Sequence, residues 1–135
     1  MYKLIRVELI SGSTTWVMID CHTKLPSLYP VRYLVDHLSK RSASTQLAGL
    51  QGIQSFYEFW LYKYGVTFCH AFHSANKNPL IAIEELDNFY AYLVESRRNC
   101  VFGVKTNKQM SNETAAVKVR SVVLFVRFLV MTYVS

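Results

Sequence analysis

Four stretches of the chain repeat apolar residues at the helical period, and the first twenty residues alternate them instead. Residues 2–10 (YKLIRVELI) and 14–20 (TTWVMID) alternate, with Ser11-Gly12-Ser13 between them as a turn. That pattern predicts a β-hairpin. An isolated hairpin is marginal in water, so this one must pack on something, with Leu4, Trp16 and Met18 as the expected packed face. Residues 21–29 carry Pro26 and Ser27 and read as a connector. Val31, Leu34, Val35 and Leu38 then fall at i, i+3, i+4 and i+7, one face of a helix over 30–40. Pro30 suits its first turn, where a missing N–H is no loss. After the polar corner Lys40-Arg41-Ser42-Ala43-Ser44-Thr45, the residues Leu50, Ile53, Tyr57, Trp60, Leu61 and Tyr64 line a second helix over 45–64. Gly65 stops it, because glycine takes the left-handed conformation without strain.

Residues 66–82 are broken by Asn76, Asn78 and Pro79 and read as a long surface linker. Leu86, Phe89, Tyr90 and Leu93 mark a third helix over 84–98, opened by Glu84 and Glu85 and closed by Arg97 and Arg98 in the sense the helix dipole favours. A connector over 99–110 follows. Ser111-Asn112-Glu113-Thr114 offers a cap for a last helix over 112–133. Wound at about 100° per residue, it puts Ala115, Val119, Val122, Val126, Leu129, Val130 and Tyr133 on one face. Arg120 and Arg127, seven apart, share a stripe off that face.

Composition narrows the function classes. The 135 residues are 51% hydrophobic and 14% aromatic, enough for one domain with a real core. Lys plus Arg number 15 against 9 acidic residues, a net charge of +6, which favours polyanions or anionic surfaces as partners. The cysteines Cys21, Cys69 and Cys100 are scattered and form no disulfide framework, which fits a reducing, cytoplasmic setting. Cys21-His22 and Cys69-His70-x-x-His73 lack the spacing of a structural zinc site, so no metal or other cofactor is expected. The apolar run Val122–Val134 is interrupted by Arg127 and is too short to span a bilayer.

The run RYLVDHL, then SAST, then IQSFYEFWLYKYG resembles the N-terminal, SAM-like core-binding domain of phage integrases, the tyrosine recombinases. The echo between STQLAGLQGIQSFYEFWL and NETAAVKVRSVVLFVRFL extends the resemblance from about Pro30 to Ser135. It implies a mainly α fold: a four-helix SAM-like orthogonal bundle over 24–135, preceded by a β-hairpin appendage over 1–23. It implies a module that binds double-stranded DNA for site-specific recombination and can self-associate on it, with no small-molecule substrate and no membrane. Catalysis belongs to a separate domain, absent here: no His-x-x-Arg occurs, since His22, His37, His70 and His73 are followed at the third position by Leu, Lys, His and Asn.

In such a bundle the starts of the second and fourth helices would adjoin and make one basic surface. Lys40, Arg41, Lys105, Lys108, Lys118 and Arg120 would face phosphates, and Ser44, Thr45, Gln46 and Thr114 would add neutral hydrogen bonds. Tyr62 is the aromatic residue of the second helix best placed to stay exposed and stack on a base. Two rival readings use the apolar last helix instead, as a protein–protein docking face or as a peripheral membrane contact.

Overall fold

The computed structural model describes residues 1–95 and 111–134. Lys105, Lys108, Arg97 and Arg98 lie outside the described residues. The architecture is mainly helical with an N-terminal antiparallel sheet, as the patterning predicts. Strands β1 (Tyr2–Glu8) and β2 (Thr14–Asp20) pair in the register Leu4↔Met18, and a third strand, β3 (Leu25–Pro26), adds to β2 within the expected connector.

The sheet is not an appendage. Met18 and Tyr2 are buried in the same core as the helices, and Leu4 and Trp16 pack on it. The Tyr2 ring meets Tyr57 edge-on at 5.4 Å, and Gln54 Nε2 donates to the Tyr2 carbonyl at 2.8 Å.

Helix α1 (Leu28–Tyr33) runs into a wider π turn, Leu34–Leu38. The extra residue per turn rotates the face predicted from a regular helix: Tyr29, Tyr33, Leu34 and Leu38 are buried, while Val35 is 61% exposed. Helix α2 (Ala43–Tyr64) is capped by Ser42, whose Oγ accepts from the Thr45 N–H at 3.2 Å, and Gly65 ends it at φ +73. It is the central helix, packed against β1, β2, α5 (Leu86–Glu95) and α6 (Asn112–Tyr133). Phe56 and Phe59 are therefore buried together with the predicted Leu50, Ile53, Tyr57 and Trp60.

The fold has more helical segments than the four expected. The predicted linker over 66–82 holds α3 (Phe68–Ser74) and α4 (Leu80–Ile83). Thr67 caps α3, its Oγ1 accepting from the His70 N–H at 3.1 Å, and Phe68 and Phe72 are fully buried. The segment supplies core rather than crossing the surface. Between α2 and α5, the Glu85 carboxylate accepts from Lys63 Nζ at 2.6 Å, from the Tyr64 hydroxyl, and from Asn88 Nδ2 at 3.2 Å. Helix α6 matches its predicted span and is capped by Ser111. Its buried face is wider than predicted and includes Phe125 and Phe128.

Candidate nucleic-acid interface

The two long helices begin with the same device. Ser42 and Ser111 each cap with Oγ, accepting from the N–H of the threonine three residues on and donating to its Oγ1 at 2.9 Å. The starts do not adjoin, however. At the crossing, a Cβ on Gly52 would stand 2.7 Å from Ser121 Cβ and 2.9 Å from the Lys118 carbonyl. Three residues further along α2, Ser55 Oγ accepts from Lys118 Nζ at 2.8 Å. In the other direction Thr45 shares a groove with Leu124, Arg127 and Phe128. Advancing along α2 is thus retreating along α6, and the helices are antiparallel. Each start lies ten residues, about 15 Å, from the crossing, on opposite sides, so they are separated by about 30 Å. The single basic surface spanning both starts is corrected accordingly.

The corner before α2 is built firmly. Ser39 Oγ donates to the Val35 carbonyl at 2.9 Å where the π turn ends. Gln46 is 2% exposed. Its Nε2 donates to the carbonyl of Arg41 at 3.0 Å, and its Oε1 accepts from Thr15 Oγ1 at 2.7 Å. Gln46 therefore ties the corner to the sheet and is not available to a phosphate, which corrects its expected role. Lys40, Arg41, Ser44 and Thr45 are exposed around it.

Arg41 comes together with Arg127, which the sequence places on the Arg120 stripe but not at the site. Both line a groove of about 410 Å³ between the corner and α6, with Thr45, Leu124 and Met131 on its walls. Arg120 is exposed on the same stripe, about 10 Å along the helix from Arg127. Among the described residues, no carboxylate lines this groove, and none pairs with Lys40, Arg41, Arg120 or Arg127. Burial raises the Tyr33 phenol above its ordinary pKa, and the nearby Arg41 cation opposes the shift.

The remaining predicted residues lie elsewhere. Thr114 is exposed at the far end of the helix pair, with its hydroxyl in the Ser111 cap. Lys118 is half-buried and bridges α6 to Ser55 of α2. Tyr62 is 80% exposed, but its ring sits 5.9 Å from Tyr92 of α5, away from the groove.

A second concavity of about 720 Å³ lies between the sheet and the end of α2, lined by Asp20, Cys21, His22 and His70 among others. Among the described residues no three His, Cys, Asp or Glu side chains converge as metal ligands. The Cys69 thiol is pushed up in pKa by burial and lies 3.2 Å from the Tyr57 hydroxyl, a core contact rather than a reactive centre. No helix among the described residues is long and apolar enough to cross a membrane. No protein-family model matches the chain, and no curated protein or solved structure matches it either.

Proposed function

We propose that this chain is a DNA-binding module of the kind that the tyrosine-recombinase core-binding domain exemplifies, working in the cytoplasm and without chemistry of its own. Duplex phosphates are held by Lys40 and Arg41 at the corner and by Arg127 and Arg120 on α6, with Ser44 and Thr45 donating neutral hydrogen bonds. The observation that carries the reading is the groove that Arg41 and Arg127, 86 positions apart in sequence, both line, with no carboxylate among the described residues that line it. Cations gathered without anionic partners are a site for an external anion, and phosphate contacts supply most of the affinity in sequence-tolerant DNA binding. The SAM-like topology stays part of this proposal.

Binding by the chain alone is weak, on the order of 10⁻⁴ to 10⁻⁶ M at physiological salt, as for other non-specific binders. The test is a titration of labelled duplex with the double variant R41Q/R127Q and with K3Q/K24Q, which removes equal charge from the sheet end. The proposal expects roughly tenfold or greater weakening in the first and little change in the second. Equal weakening in both would reduce the effect to net charge.

A second reading has its own observation. Val117, Leu124 and Met131 of α6 are 48%, 48% and 66% exposed, seven residues apart on a stripe beside the arginines. In that reading this face of α6 docks a protein partner in place of DNA, and the groove residues Leu124 and Met131 are part of the contact.

A further inference from the structure

We propose that the groove between the α1–α2 corner and α6 seats an unpaired nucleotide, its phosphate between Arg41 and Arg127 and its base against the His37 imidazole. The inference rests on the nucleic-acid reading above and names which form of nucleic acid the groove itself takes.

Shape is the first argument. A volume of about 410 Å³ falls in the range of roughly 300–1,000 Å³ usual for small-ligand sites. A duplex is a convex rod that can ride on the groove's rim but cannot fill it. A single base unstacked from its neighbours can.

The walls supply the chemistry. His37 is an exposed residue whose ring nevertheless packs on two others. It stacks on Tyr33 at 5.8 Å with 28° between the planes, and meets Phe128 edge-on at 5.1 Å. Tyr33 and Phe128 are themselves buried and form part of the core. A ring held this way offers its surface to a base at little cost in side-chain entropy, the design that single-strand binders use. The two arginines that line the groove can hold a phosphate and can also stack on a base.

The apolar part of the wall suits a base inside the groove rather than a further phosphate. Leu124 and Met131 stand exposed beside the arginines. A phosphate ladder gains nothing from a leucine and a methionine. A base face or edge does, by burying apolar surface.

The experiment compares a labelled blunt duplex with the same duplex carrying a single-stranded thymidine tail of about six nucleotides. The quantity read is the ratio of the two affinities, in the unaltered chain and in His37→Ala and His37→Phe. The proposal expects the tail to tighten binding by roughly tenfold, the ratio to collapse toward one in H37A, and an aromatic replacement to keep it in H37F. A tail that adds nothing while the blunt duplex still binds overturns this inference and leaves the duplex reading standing. A ratio equally large in H37A overturns the assignment of the base to His37. Failure of both probes to bind overturns this inference together with the duplex reading.

Discussion

Gly52 of α2 lies against Ser121 of α6, so close that a Cβ at position 52 would come within 2.7 Å of the serine Cβ and 2.9 Å of the Lys118 carbonyl. The second atom is backbone and cannot swing aside. In an exposed helix, alanine would be preferred over glycine by about 1 kcal/mol. Here Gly52→Ala forces α6 outward, and the expected result is a net loss of about 1–3 kcal/mol in denaturant unfolding. A stabilised G52A would mean that the helices do not cross where described.

Gln46 is the second structural prediction. Removing its amide leaves the Arg41 carbonyl and the Thr15 hydroxyl without the partners they have now. Gln46→Ala should cost about 2 kcal/mol, mostly from unsatisfied polar groups and a small void. Any loss of DNA affinity in Q46A should follow the loss of stability, and recover in conditions that restore the fold. A loss of affinity at full stability would return Gln46 to the interface.

Much of this was legible in the sequence, and the failures have physical causes. The span of α6 and the Gly65 stop follow from local signals: a serine cap, an apolar period, a glycine free to take positive φ. Helix α3 was hidden because Asn76, Asn78 and Pro79 dominate the segment, leaving only Phe68 and Phe72 at i, i+4 as evidence of a short buried helix. Phe56 and Phe59 fall off the predicted stripe of α2 because a helix covered on several sides has no single apolar stripe. The register shift at Val35 comes from a π turn that no residue type announces. Half of the candidate site was readable, since Lys40 and Arg41 at a corner before a capped helix are a local pattern. Arg127 was visible as a heptad neighbour of Arg120. Its approach to Arg41, and the 30 Å or so between the two helix starts, depend on the antiparallel course of α6, which local sequence does not encode.

The third prediction concerns pH. Burial pushes the Glu85 carboxyl up, but hydrogen bonds from Lys63, Tyr64 and Asn88 outweigh it and hold the group below its ordinary pKa. Lys63 is held above its ordinary value, chiefly by its hydrogen bond to Glu85. A lowered carboxylate contributes stability that is complete above its unfolded pKa of about 4.5 and is lost as pH falls through the folded value. A raised lysine contributes stability that is present below about 10.5 and is lost as pH rises through its folded value. The stability difference between the unaltered chain and Glu85→Gln should therefore be largest near neutral pH, at about 1 kcal/mol, and shrink below pH 4 or so. A difference that does not change between pH 7 and pH 3 would contradict the role given to this cluster.

The salt dependence of duplex binding tests the central claim most directly. Each phosphate contact made by a cation releases condensed counterions, so the slope of log K against log salt counts those contacts. In R41Q/R127Q the slope should flatten by about two units relative to the unaltered chain, with the same affinity loss on unrelated sequences. In K3Q/K24Q, at the opposite end of the sheet, the slope should stay within about half a unit of the original. Equal slopes in all three proteins would contradict the account, because the groove that joins Arg41 to Arg127 would then not be where the phosphates sit.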